Sequence, residues 1–143
     1  MFRYLAVLLA CFCLQMQQPV MADDSEKAVA NAKIIIELAK EAKFNTIWTG
    51  YVSEFFKSRV NKDIFLANMS QGRVTVGPLQ SSKLIDVTYS QRDIQSGYVG
   101  DIYTVRFLNK YAANSFYDFF VLIKEPDGHY RLSGLGSAPA PAD

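Results

Sequence analysis

The chain has 143 residues, half of them hydrophobic and a fifth charged, with 15 basic residues against 14 acidic ones. This is enough apolar content for one compact domain with a real core, and too little length for two. Both signs of charge are scattered along the chain, which excludes the basic footprint selected by nucleic acid or an anionic membrane surface.

Residues 1–22 have the layout of a secretory signal. A basic start at Arg3 is followed by an apolar run from Leu5 to Leu14, a polar patch at Gln15 to Gln18, and Pro19-Val20-Met21-Ala22. Val20 and Ala22 suit the small-residue positions before a signal-peptidase cut, so cleavage is expected between Ala22 and Asp23. The run falls short of the roughly 20 apolar residues of a membrane-spanning helix, so no stable transmembrane anchor is expected after cleavage. An alternative is a lipoprotein, since Leu8-Leu9-Ala10-Cys11 resembles a lipobox. Both cysteines, Cys11 and Cys13, lie in this segment. A chain cut after Ala22 therefore carries no disulfide, thiol nucleophile or cysteine metal site. Loss of Arg3 also brings its charges into balance. The expected product is periplasmic or secreted: one domain over 23–136 and a proline-broken, disordered tail over 137–143.

From Ser25 to Lys43 the apolar positions Ala28, Ala32, Ile35, Ile36 and Ala39 recur at spacings of three and four, which predicts an amphipathic helix. A second helix is expected from Phe44 to about Arg59, with Ile47, Trp48, Tyr51, Val52, Phe55 and Phe56 on one stripe. Gly50 weakens it by about 1 kcal/mol relative to alanine, which a close packing contact would explain. Asn61 is the expected N-cap of a third helix that buries Ile64, Phe65, Met69 and Val76 and ends near Gly77-Pro78.

Strands follow at 79–90, 98–109, 115–124 and 129–135. The last three are separated by Ala112-Ala113-Asn114 and Pro126-Asp127-Gly128, which reads as an antiparallel meander. The fold class is thus α+β, with N-terminal helices packed on a curved antiparallel sheet of about four strands.

With the first of those turns centred near Ala112, Arg106 lies opposite Asp118, Thr104 opposite Phe120, and Leu108 opposite Phe116. The other face, with Tyr103, Val105, Phe107, Tyr117, Phe119, Val121 and Ile123, is continuously apolar and is expected to be covered by the helices. The mixed face around Arg106, Phe116, Asp118 and Phe120 is the candidate interaction surface, with a homodimer or an envelope protein as partner.

Catalytic motifs are lacking. The single histidine, His129, lies in the second turn, there is no glycine-rich phosphate loop or nucleophile elbow, and no metal or cofactor is expected. Asp86, Asp118, Tyr51 and Tyr103 are the groups that acid–base chemistry would use if they converged.

Several segments taken together resemble a family of exported bacterial proteins known as domain of unknown function 4019. They are Ile47-Trp48, Tyr51 and Phe55-Phe56-Lys57, then Val60-Asn61-Lys62, Gly77-Pro78-Leu79 and Lys83-Leu84. Tyr103, Val105, Phe107, the run from Val121 to Gly128 and Arg131-Leu132-Ser133-Gly134 complete the likeness. It spans about residues 42–136 and implies a cystatin-like, nuclear-transport-factor-two-like cone with no implied activity. The leading expectation is a non-catalytic interaction or dimerisation domain. The alternative is a binder of a small apolar ligand, with a pocket between sheet and second helix lined by Trp48, Tyr51, Tyr103 and Phe119. Third is an isomerase-like acid–base enzyme.

Overall fold

A computed structural model describes residues 18–141, with side chains from residue 23 onward. Most of the expected signal segment, Cys11 included, lies outside the described residues, as do residues 142 and 143 of the tail. The chain is α+β, with α1 (Gln18–Lys40), α2 (Phe44–Tyr51), α3 (Glu54–Lys57) and α4 (Lys62–Val76) preceding β1 (Leu79–Arg92), β2 (Val99–Tyr111), β3 (Ser115–Lys124) and β4 (Tyr130–Pro139). The strands form one antiparallel sheet in the order β1-β2-β3-β4.

Helix α1 lies against the sheet through the stripe read from its spacing: Ala28, Ala32, Ile35 and Ile36 are all buried. Two alanines at the contact let the helix backbone approach the strands closely, and the isoleucines supply the apolar area. The helix ends in a Schellman turn, in which Lys43 N–H donates to Leu38 C=O (2.8 Å) and Ala42 N–H to Ala39 C=O (3.0 Å). Ala42 takes the left-handed position of that turn, with φ 56°.

The expected second helix is two helices. The chain leaves helical geometry at Val52 (φ −96°, ψ 133°), where it bridges Leu132 on the open edge of β4. Ser53 N–H donates to Leu132 C=O at 2.9 Å, and Ser53 Oγ accepts from Phe56 N–H at 3.1 Å, capping α3. Unpaired backbone on an edge strand and a serine able to restart a helix outweigh the apolar period. Gly50 is not at a close contact, since a Cβ added there meets nothing within 4 Å.

Helix α4 begins as expected, with Asn61 Oδ1 accepting from Asp63 N–H at 2.7 Å, and ends at Gly77 (φ 76°). It is less buried than its sequence predicts. Phe65 is buried, Met69 and Val76 are half-buried, and Ile64 is 57% exposed. The helix is held at its ends. Phe65 stacks on Trp48 (5.3 Å) and Phe56 (6.0 Å), while Val76 and Pro78 carbonyls accept from Ala113 and Ala112 in the β2–β3 turn. Between these anchors, Arg73 Nη1 donates to the carbonyls of Ala39 (3.0 Å) and Lys40 at the end of α1.

The β2–β3 register differs from the expected one by one residue. Arg106 pairs with Phe119 and Phe107 with Asp118, because the turn is centred between Ala112 and Ala113, with Tyr111 N–H bonded to Asn114 C=O at 2.9 Å. A shift of one exchanges the faces of β3 relative to β2. The helix-covered face therefore carries Tyr103, Val105, Phe107, Asn109 and Tyr111 with Phe116, Asp118, Phe120 and Leu122. Arg106, Tyr117, Phe119 and Val121 share the outer face. There Arg106 pairs with Asp86 rather than Asp118, through Nε–Oδ1 (3.2 Å) and a second contact from Nη2 to Oδ2, and lies 5.5 Å from the Tyr117 ring centre.

Strand β4 also continues past the expected domain end. Gly136, Ser137, Ala138 and Pro139 pair with Phe119, Asp118, Tyr117 and Phe116, so the start of the predicted disordered tail is sheet. Pro139 is tolerated because β4 is an edge strand.

The left-handed Ala42 generates a stability prediction. A side chain there costs roughly 1–2 kcal/mol, partly offset by glycine's greater freedom when unfolded. Ala42→Gly should therefore stabilise the protein by about 0.5–1 kcal/mol. The check is a higher urea midpoint at unchanged slope, and a lower midpoint contradicts it.

Candidate binding cavity

Because α4 is anchored at its ends rather than along its length, a cavity of about 260 Å³ remains between α1, α4 and the β2-β3-β4 part of the sheet. Ile36 and Ala39 from α1, Met69 and Val76 from α4, and Phe116 and Phe120 from β3 give most of its wall. Sites for small molecules are typically about 300–1,000 Å³, and an apolar cavity of roughly 150 Å³ takes benzene, so this volume suits a single small ring system or its equivalent.

On the sheet side a buried polar cluster interrupts the apolar wall, while Lys40, Asn68 and Arg73 line the helix side. Asp118, 7% exposed, accepts from Asn109 Nδ2 (2.6 Å) and Tyr111 Oη (2.6 Å) at one oxygen, and from Ser137 Oγ (2.5 Å) at the other. The sheet positions all four. Ser137 is the cross-strand neighbour of Asp118 in β4, while Asn109 and Tyr111 follow Phe107, its neighbour in β2, on the same face. Burial, and then the Asp118 carboxylate, hold the Tyr111 phenol well above the ordinary tyrosine range, so Tyr111 keeps its proton and donates. Asn109 is 1% exposed, and its Oδ1 has no hydrogen-bond partner.

The residues expected to line a pocket are dispersed. Trp48 belongs to the aromatic cluster with Phe56 and Phe65. Tyr51 is half-buried against the core. Tyr103 is buried in a stack between Tyr89 (5.2 Å) and Tyr130 (5.4 Å). Phe119 is on the outer face, where it lines a second pocket, of about 640 Å³, with Phe56 and Arg59.

The expected interaction face is divided as well. Phe116, Asp118 and Phe120 line the cavity, while Arg106 lies across the sheet. The four groups considered for acid–base work do not converge either: Asp86 is held by Arg106 outside, and Asp118 by its three donors inside.

Sequence reasoning missed Asn109, Tyr111 and Ser137. Their signal is present: a two-residue Ala112-Ala113 turn puts Asn109, Tyr111 and Asp118 on one otherwise apolar face. Among the described residues, no group of three His, Cys, Asp or Glu could hold a metal ion, and no helix is long and apolar enough to cross a membrane. No protein-family profile, curated protein or solved structure matches the chain.

The raised Tyr111 phenol has a signed consequence. Folded protein keeps a proton that the unfolded chain releases near pH 10, so stability is full below pH 10 and falls as pH rises toward the folded value. Tyr130, whose buried hydroxyl also has a raised pKa, contributes in the same direction. Unfolding between pH 8 and 12 should show this fall, and Tyr111→Phe should make it shallower. Parallel curves for the two proteins would contradict the assignment.

Proposed function

We propose that this chain is an exported, non-catalytic domain that binds a small, largely apolar molecule in the cavity between α4 and the sheet. The observation that carries the reading is a concave, mainly apolar space with a buried polar cluster on its sheet side, the usual make-up of a small-molecule site. Two ordered helix ends hold its roof, so the space is formed before anything binds. The resemblance to exported domains of the nuclear-transport-factor-two-like type agrees with such a cone, and export after cleavage between Ala22 and Asp23 belongs to the same proposal.

Binding is favoured over protein contact because the proposed contact surface depended on Arg106 sharing a face with Phe116, Asp118 and Phe120, and the register separates them. It is favoured over acid–base catalysis because Asp118 is not joined by the other expected groups.

Native mass spectrometry of protein prepared without stripping tests the proposal, with Val76→Trp as the control that fills the cavity from its roof. Expected is a small organic adduct on the wild-type chain that is reduced at least tenfold in Val76→Trp, with the thermal midpoint kept within a few degrees. An adduct retained equally by both proteins places binding elsewhere. Bare wild-type chains that also show no thermal shift with small alkylphenols contradict the proposal.

A further inference from the structure

The polar cluster in the cavity is one-sided. Asn109 Nδ2, Tyr111 Oη and Ser137 Oγ each donate to Asp118, and Asn109 Nδ2 also donates to Tyr111 Oη at 3.5 Å. A carboxylate has about four lone-pair sites, so at least one remains. Asn109 Oδ1, on a side chain that lines the cavity and is nine-tenths buried, accepts from nothing. What this cluster has left to offer is therefore acceptors.

Neither cationic side chain at the cavity bonds to this cluster. Arg73 Nη1 is bonded to the carbonyls ending α1, and Lys40 Nζ lies 3.6 Å from Glu37. At this cluster an anionic head group would meet a carboxylate and an unpaired carbonyl oxygen, both repulsive. A group with only acceptors would leave these oxygens unsatisfied, which a buried site penalises.

Resting on the binding reading above, we propose that the cavity selects apolar molecules that present a hydrogen-bond donor, a hydroxyl or neutral amine, to Asp118 and Asn109. Carboxylates and ethers of the same shape are rejected. The donor completes the hydrogen bonding of Asn109 Oδ1 or the Asp118 carboxylate, and the apolar remainder fills the space beside Phe116, Phe120 and Met69.

The test is calorimetric titration of the full folded domain with four molecules of nearly equal size: 4-propylphenol, 4-propylaniline, 4-propylanisole and 4-propylbenzoate. The phenol and the aniline should bind at least about tenfold more tightly than the anisole, with the benzoate weakest, as expected for hydrogen bonds to a charged acceptor. The phenol and aniline arms separate hydroxyl from amine selectivity. Asp118→Asn should reduce the phenol-to-anisole ratio to less than about threefold.

Should Asp118→Asn fail to fold, Ser137→Ala provides the second test. Ser137 is exposed, and its removal frees a carboxylate lone pair, so the ratio should stay the same or rise. A fall would overturn the assignment. If all four molecules bind equally in the wild type and all are lost in Val76→Trp, the cavity binds but donor selection is wrong. If none binds, both the selection and the binding reading fall.

Discussion

The pairing of Phe107 with Asp118 across β2 and β3 is the constraint on which the site depends. It follows from a turn with an even number of residues, in which Ala112 and Ala113 occupy the tip and Tyr111 bonds to Asn114. With that register, an aspartate that would otherwise face solvent beside Arg106 is carried under the helices. Burying a carboxylate without partners is costly. Here the cost is met by three donors that the same register and the β4 extension deliver to it. Ser137 reaches Asp118 because β4 continues to Pro139, and Asn109 and Tyr111 reach it because they lie on the face that the turn directs inward.

The cavity has a separate origin in α4. A helix with one strongly buried residue, Phe65, gains little from lying flat on a sheet. It is suspended instead, tied by the Trp48–Phe56–Phe65 rings at its start and by backbone bonds to the β2–β3 turn at its end. Arg73 completes the suspension by capping the α1 carbonyls, where a cation also complements the negative end of the helix dipole. The turn that sets the register therefore also holds the roof, so floor and roof of the cavity are aligned by one short segment.

Much of the secondary structure was legible. Asn61, Gly77 and the Pro126-Asp127-Gly128 turn act through local chemistry that does not depend on distant partners. The limits of β3 were read from its run of β-formers between two turns. The single long second helix was not legible as two, because its break depends on a bond from Ser53 to Leu132, some eighty positions away. The tail could not be seen as strand, because Gly136 to Pro139 have little strand preference and are ordered by pairing with β3.

Of the candidate residues, Phe116, Asp118 and Phe120 were correctly grouped with one another and wrongly grouped with Arg106. Alternation within a strand is a local property, so residues two apart must share a face whatever the fold. Which strand face meets which across a hairpin depends on turn parity, and Ala112-Ala113-Asn114 is compatible with either. The sequence by itself determined most of the elements, the Asn61 and Gly77 ends of α4 and the antiparallel order of the meander. Tertiary pairing decided which face Asp118 occupies, that Ser137 joins it, and that α4 stands clear of the sheet, because each is settled by contacts between segments that local propensity cannot weigh.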